Sequence, residues 1–271
     1  MPNKILTIAG SDSLAGGGIQ ADLATFNEYG YFGLSVMTSI VTVKSRNFKL
    51  FPIATAIIEE QLQSVLAVDD IVAIKVGLLP TTDIITLVTQ YLSNVHVPII
   101  IDPVMVFKET THVDTKKLVT SVRRQLLPLA TIVTPNIREA QIITNQTINT
   151  VDDMKHAAKS IFEFGAQNVL VKGGTSILGD QAVDVLFDGC SFQVFKQDKI
   201  QEKRLNHNGA GCTLSASIAT NLGRSADVVS AIDDAKDFVW QGIKNGVKLN
   251  DAFDDGNVWQ GARRSNYETK I

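Results

Sequence analysis

Cysteine is scarce. Cys190 and Cys212 are the only two in 271 residues, too few for a disulfide framework and suited to a reducing compartment. Excess charge of one sign is also lacking: 25 Lys and Arg stand against 28 Asp and Glu, the net charge is −3, and no basic run stands out. That argues against nucleic acid as a partner, because nothing supplies the footprint of a phosphate-backbone binder. The four histidines do not fall at metal-ligand spacing, which argues against zinc. No apolar run is long enough to span a bilayer. The opening Met1-Pro2-Asn3-Lys4-Ile5-Leu6 leads directly into a strand pattern, without the apolar core of a signal peptide. These absences predict a cytoplasmic protein with no membrane partner. Two nucleotide signatures are missing as well. There is no Gly-x-x-x-x-Gly-Lys-Ser/Thr loop, and the pair Gly209-x-Gly211 has Leu214 where a dinucleotide fingerprint requires glycine or alanine.

What is present is an alternation. Ile5–Ala9, Leu34–Val43, Ile71–Val76, Pro98–Ile101, Thr131–Thr134 and Asn168–Lys172 read as strands, apolar or β-branched runs stopped by Gly, Pro or Asp. Helical patterns mark Ile19–Tyr29, the set Ile58, Leu62, Val65 and Leu66, then Thr82–Leu92 and Asp114–Leu127. A capping box at Thr150-Val151-Asp152-Asp153 opens a helix that ends at Gly165, and a last helix carries Val228, Ile232, Ala235, Val239 and Ile243 on one face. Asp188-Gly189 is a hairpin turn between short strands at 182–187 and 192–195. The alternation predicts an α/β fold, a mostly parallel central sheet with helices on both faces. No repeat, linker or low-complexity block interrupts it, so residues 1–271 read as one domain. In such sheets ligands sit beyond the carboxyl ends of the strands.

One stretch organises the rest: Asn206 to Ala216, with Gly209-Ala210-Gly211-Cys212-Thr213 at its centre. Small residues let the backbone approach a ligand. The helix start that follows offers unpaired N–H groups and the positive end of a dipole, an anion site most often used for phosphate. The same field predicts a lowered pKa for the Cys212 thiol. Around it the strand ends supply Gly10-Ser11-Asp12, Lys75-Val76-Gly77, Asp102-Pro103, Pro135-Asn136 and Lys172-Gly173-Gly174. A lysine beside two glycines reaches a phosphate, and Asp102, Asn136 and Glu139 could hold Mg²⁺ directly or through water. An anion hole, a lysine, a magnesium site and a candidate base are the parts that phosphoryl transfer needs. Each part has a purely structural reading beside the functional one. The Gly-x-Gly pair serves as a tight turn, Asp102 as a turn cap, and Asn136 as a helix cap that Glu139 completes. Asp12 serves as an Asx turn, Asp22 as a charge favoured by its helix dipole, and Lys172 as a solvated strand end.

Six motifs, in order, resemble those of the vitamin-kinase branch of the ribokinase-like fold, the pyridoxal kinases and hydroxymethylpyrimidine (phosphate) kinases. They are Thr7-Ile8-Ala9-Gly10-Ser11-Asp12, Gly16 through Asp22, Asp102-Pro103-Val104-Met105, Thr134-Pro135-Asn136 with Glu139-Ala140, Val171-Lys172-Gly173-Gly174, and Gly209-Ala210-Gly211-Cys212-Thr213. The resemblance implies a ribokinase-like three-layer sandwich, ATP with Mg²⁺, and phosphorylation of a primary alcohol on a flat heteroaromatic ring. It also implies a homodimer. For the residues it implies an anion hole at Gly209, Ala210 and Gly211 with Cys212 as base, and ATP contacts at Lys172, Asn136, Glu139, Gly173 and Thr213. Metal falls to Asp102 and Glu139, the ring pocket to Gly10, Asp12, Asp22, Val43, Leu78 and Val104, and a lid to Lys108.

The ring is chosen by one position. Hydroxymethylpyrimidine kinases carry Ala-Gln-Asn after the second strand, and the glutamine reads the pyrimidine. Here the stretch is Val41-Thr42-Val43-Lys44, so a valine stands where the amide would be. A site built for polar pairing discriminates strongly. The resemblance therefore favours pyridoxal, with pyridoxine and pyridoxamine as secondary substrates. Hydroxymethylpyrimidine kinase of thiamine synthesis is the runner-up, and a non-catalytic binder of pyridoxal phosphate or nucleotide is the alternative of another class. Other departures from the pattern are Asn208 for histidine, Gly17 for alanine, Val76-Gly77-Leu78 for Thr/Ile-Gly-Met and no glycine after Lys108. The tail from Asp255 to Trp259 lacks the family's Gly-Pro…His signature.

Overall fold

Ile5-Leu6-Thr7-Ile8-Ala9 and Ile99-Ile100-Ile101 lack polar alternation, as strands buried on both faces do. In the computed structural model, which describes residues 1–44, 47–105, 115–201, 206–250, 253 and 255–264, they lie inside one nine-stranded sheet. Its strands are β1 (Lys4–Asp12), β2 (Phe32–Lys44), β3 (Asn47–Pro52), β4 (Ile71–Val76), β5 (Ile99–Ile101), β6 (Ile132–Val133), β7 (Val169–Gly174), β8 (Gln181–Phe187) and β9 (Phe192–Asp198). The spatial order is β3-β2-β1-β4-β5-β6-β7-β8-β9. From β2 to β7 neighbours run parallel, while β3, β8 and β9 pair antiparallel at the edges. Strand order reverses between β1 and β4, which makes their carboxyl ends the switch point where such sheets bind ligands.

Helices cover both faces, giving the expected three-layer sandwich. On one side lie α1 (Gly18–Glu28), α7 (Ala210–Leu222) and α8 (Val228–Lys244). On the other lie α2 (Thr55–Leu66), α3 (Thr82–Leu92), α4 (Thr115–Ser121), α5 (Ile137–Thr144) and α6 (Val151–Phe162). The two-residue period of β1 deals Ile5 to the first core and Leu6 and Ile8 to the second. Thr150 caps α6 in a capping box with Asp153, as its sequence suggested. Among the described residues no helix is long and apolar enough to cross a membrane.

Three local outcomes differ from the expectations. β1 does not stop at Gly10 but continues to Asp12, because a register shift at Ala9/Gly10 lets β2 keep pairing with it. The predicted helix 114–127 breaks into α4, a wide turn over Val122–Leu126 and a tight one over Leu127–Leu129, where Pro128 ends the pattern. Strand β3 had no expectation at all. It forms because β2 folds back on itself, setting Val41 opposite Leu50 and Val43 opposite Phe48.

Candidate active site

Glycine builds the entry to α7. Gly209 holds φ at 86°, a left-handed conformation that side-chain-bearing residues avoid, and a Cβ there would lie 3.4 Å from the Gly16 carbonyl oxygen. Ala210, Gly211 and Cys212 follow, so nothing bulky covers the first turn. The Ala210 N–H donates to the His207 carbonyl and the Thr213 N–H to that of Gly209. The N–H groups of Gly211 and Cys212 remain as first-turn donors at the positive end of the helix. A Cβ on Gly211 would lie 3.2 Å from Lys172 Nζ and 3.8 Å from Asp102 Oδ2, so this bare backbone faces an ion pair.

Lys172 comes from β7 and Asp102 from the end of β5, with Nζ 2.8 Å from Oδ1. The lysine side chain keeps 12% of its surface open, the aspartate 2%. Ser215 and Thr134 add weak hydroxyl contacts to Asp102 at 3.4 Å. Burial works against the charge on Lys172, but Asp102 and Glu139 prevail and raise its pKa. Asn136 and Glu139 form the capping box of α5: Asn136 Oδ1 accepts the Glu139 N–H at 2.9 Å, and Glu139 Oε2 accepts the Asn136 N–H at 2.8 Å. Their structural reading is therefore realised. Glu139 is nonetheless buried, and burial pushes its carboxyl up to about 7, with Lys172 opposing and Asp102 reinforcing the push. A second cation beside Asp102 and Glu139 would relieve this. Two carboxylates suit Mg²⁺, which completes its shell with water and phosphate oxygens. Among the described residues no group of three or more His, Cys, Asp or Glu forms a fuller cage.

Cys212 Sγ accepts the Gly18 N–H at 3.4 Å. The expected lowering of its thiol pKa is reversed: burial pushes it up to about 11, against the pull of Lys75. The helix start does not compensate for the water lost around sulfur. Gly18 itself is forced by space and conformation, with φ at 62° and a would-be Cβ 2.2 Å from the Gly10 carbonyl oxygen. The start of α1 thus folds tightly onto the end of β1.

The expected ring-pocket residues are partly gathered. Gly10 and Leu78 adjoin, since a Cβ on Gly10 would meet Leu78 Cδ2 at 3.3 Å. Val104 is half-buried on the turn after β5. Val43 is half-buried, two residues past Val41, the partner of Asp12 in the sheet. Asp12 Oδ1 accepts the Leu14 N–H at 2.9 Å, the Asx turn of its structural reading. Asp22 is sealed at 0% exposure: its Oδ2 takes Lys75 Nζ at 2.9 Å and the Thr7 hydroxyl at 2.6 Å, while Oδ1 has no hydrogen-bond partner among the described residues. Lys108 lies outside the described residues.

Thr213, Ala210 and Gly173 have polar groups engaged within the protein. Thr213 is buried, with its N–H on Gly209 and its hydroxyl accepting from Gln260 Nε2 at 3.0 Å. The Ala210 N–H is already held by His207. The Gly173 N–H donates to Asp184 Oδ1 at 3.0 Å, and a Cβ there would lie 2.3 Å from the Val183 carbonyl oxygen. Packing alone already requires glycine there. Sequence reasoning missed the partnerships of Lys75 with Asp22 and of Lys236 with Asp184, the latter 2.5 Å apart. The available signal was an isolated charge in an apolar strand, Lys75 in β4 and Asp184 in β8. It missed Asn257 as well, which no local pattern marks.

A sequence model of the phosphomethylpyrimidine kinase family matches residues 12–257. The pyridoxine kinase of Bacillus subtilis is 42% identical over 253 residues, 92% of this chain and 93% of that protein. The structure of the pyridoxal kinase from Staphylococcus aureus in complex with AMP-PCP and pyridoxal superposes with a TM-score of 0.89 at 37% identity, over 97% of this chain and 95% of that one. The phosphomethylpyrimidine kinase of Clostridium difficile superposes with a TM-score of 0.75 at 32% identity, over 88% and 99%.

Proposed function

The chain belongs to the phosphomethylpyrimidine kinase family, and we propose that within it the protein transfers the γ-phosphoryl group of ATP to the hydroxymethyl group of pyridoxal. The observation that carries the reading is the first turn of α7, where the bare Cα of Gly211 faces the Lys172–Asp102 pair at the positive end of the helix. Lys172 has a partner it can exchange for a phosphate oxygen. The N–H groups of Gly211 and Cys212 stabilise the charge that develops during transfer. Mg²⁺, which Asp102 and Glu139 would hold, supplies neutralisation of phosphate charge. The exposed Asn136 keeps its Nδ2 outside the capping box and free for an ATP oxygen.

The acceptor oxygen forms a bond to phosphorus as the bond to ADP breaks, and the electron pair of that bond leaves with ADP. The hydroxyl proton passes to the Cys212 thiolate. With a pKa of about 11, the thiolate fraction at pH 7 is on the order of one in ten thousand. Cys212 is then a strong but rarely charged base, and turnover rises with pH.

Two features favour pyridoxal. Val43 offers no amide to a pyrimidine, and the likeness to the pyridoxal kinase, at a TM-score of 0.89, exceeds that to the phosphomethylpyrimidine kinase, at 0.75. The match to the family model favours hydroxymethylpyrimidine as the second reading. ADP release with Mg-ATP and each alcohol separately decides between them. Faster turnover on pyridoxal supports the first, and faster turnover on the pyrimidine replaces it. Tight ligand binding with no ADP release on either would mean a non-catalytic binder. The homodimer expected from the resemblance has an apolar edge to use, since Ile40 and Phe51 pair across β2 and β3 at 39% and 51% exposure. Sedimentation of Phe51→Glu against the unaltered chain tests that role.

A further inference from the structure

Two loops flank the site, and a third segment is wedged behind both. The first, 13–17, carries β1 into α1. The second, 206–209, leads into α7. The third is 255–258. Asn257 stands where they meet and is 6% exposed. Its Nδ2 donates to the Leu14 carbonyl at 2.7 Å, and its Oδ1 accepts Asn208 Nδ2 at 3.5 Å. Backbone bonds fix it from both sides. The Asn208 N–H donates to the Gly256 carbonyl at 3.1 Å, the Val258 N–H to that of Asn208 at 3.0 Å, and Asn257 and Val247 exchange two bonds of 2.8 Å. The Asn206 side chain fills the room that Gly246 and Gly256 leave by lacking Cβ atoms. In front, the two loops nearly touch: a Cβ on Gly209 would lie 3.5 Å from the Gly17 nitrogen, and one on Gly17 would lie 3.7 Å from Cys212 Sγ.

We propose that Asn257 is a positioning residue whose single carboxamide ties loop 13–17 to loop 206–209 and fixes the spacing between the acceptor side of the site and the phosphoryl-receiving turn of α7. The carboxamide fits because it donates on one side and accepts on the other. An aspartate would set a carboxylate against the Leu14 carbonyl, and an aliphatic residue would take from the half-buried Leu14 carbonyl and Asn208 amide the partner that joins them. The catalytic consequence rests on the kinase reading above; the coupling of the loops does not. A misplacement of about 1 Å between reacting groups lowers turnover by on the order of 100-fold.

The test uses the full chain with Asn257→Asp and Asn257→Ala. Amide hydrogen exchange reads the link without reference to activity, and in both variants it should quicken in 14–18 and 208–212 together. Kinetics should show kcat falling roughly 10- to 100-fold with KM for ATP within about threefold, and ADP release to water rising relative to transfer. Asn208→Ala cuts the other end of the link and serves if Asn257→Ala does not fold; the double variant should be no slower than Asn257→Ala alone. The proposal is overturned if exchange quickens in only one loop or in neither, if it rises evenly through the molecule with a fall in Tm, or if kcat is unchanged. A wild-type chain that releases no ADP on any alcohol sinks the kinase reading, and exchange still decides whether Asn257 couples the loops.

Discussion

Two lysines on the same face of the sheet make the same bond and are used differently. Lys75 on β4 holds Asp22 at 2.9 Å, and Lys172 on β7 holds Asp102 at 2.8 Å. Both point toward the α1 and α7 layer, like Ala73 and Leu170 two residues before them. The first pair is sealed, with neither side chain exposed, whereas Lys172 keeps 12% of its surface open and faces the bare first turn of α7. Bond length therefore says little about role. What separates the pairs is whether a ligand oxygen can displace the carboxylate. It can at Lys172. At Lys75 the pair acts on the site only through its field, and burial's opposition to the lysine charge is outweighed by Asp22 and by Cys212, so that its pKa is raised.

The largest effect should come from the open pair. Lys172→Gln removes the charge that meets phosphate, and kcat should fall about 1,000-fold, the upper range for losing one charge-stabilising group. Stability should change by no more than about 1 kcal/mol, because water can reach the vacated position and bridge to Asp102. Urea titration and steady-state kinetics on the same preparation read both quantities. A stability loss as large as that of the sealed pair would erase the distinction between the two pairs.

Asp22→Asn reverses the pattern. It keeps the volume and leaves Lys75 as an uncompensated buried cation, so unfolding free energy should drop by about 3–5 kcal/mol. Replacing both partners, Asp22→Leu with Lys75→Met, should recover much of that loss, since no buried charge remains. A double variant less stable than Asp22→Asn would mean that the pair stabilises the fold by more than mutual neutralisation.

The field of the sealed pair is read through Cys212. Its thiol is raised from 9.0 to about 11 in the fold, so between those values the unfolded chain loses its proton first. This group's contribution to stability therefore falls as pH rises from 9 toward 11. If the thiolate accepts the substrate proton, kcat should climb about tenfold per pH unit from neutrality. Lys75→Met removes a cation that pulls the thiol down, so the profile should move to higher pH and the rate at pH 8 should fall. A flat profile in the unaltered protein would remove Cys212 as base.

Such contrasts mark the limit of what the sequence reveals. β4 and α3 match their predicted ranges residue for residue, because apolar runs bounded by Gly77 and by Thr81 are local signals. The motif residues Gly209 to Cys212, Lys172 and Asp102 come together as expected, because strand ends share one edge of a parallel sheet. The thiol pKa was misjudged because a helix start is visible in sequence while the burial of sulfur is set by α1, some 190 residues away in the chain. Thr213 and Gly173 flank the phosphate motifs, but their internal partners are not visible in sequence. Gln260 and Asp184 take their polar groups through contacts that only tertiary structure makes. Asn257 was missed for the same reason, having its partners at Leu14 and Asn208.

The smallest effect isolates the difference between the pairs most cleanly. Thr7 and Thr134 are both fully buried, and each has its hydroxyl beside one of the two aspartates. Thr7 Oγ1 donates to Asp22 at 2.6 Å, whereas Thr134 Oγ1 stands 3.4 Å from Asp102. Valine matches threonine in shape and removes only the hydroxyl. A hydrogen bond to a charged group contributes about 1.5–3 kcal/mol when short and well made, so Thr7→Val should destabilise by about 1.5 kcal/mol and Thr134→Val by less than about 0.5 kcal/mol. The sealed carboxylate depends on every donor it has, because water cannot substitute for any of them. The site-facing carboxylate has lysine, serine and threonine around it and needs none of them permanently, as expected of a group that must exchange partners when a ligand arrives. Equal losses from the two substitutions would show that Asp102 is as fixed in its contacts as Asp22, and Lys172 would then lack the freedom that the proposed transfer requires.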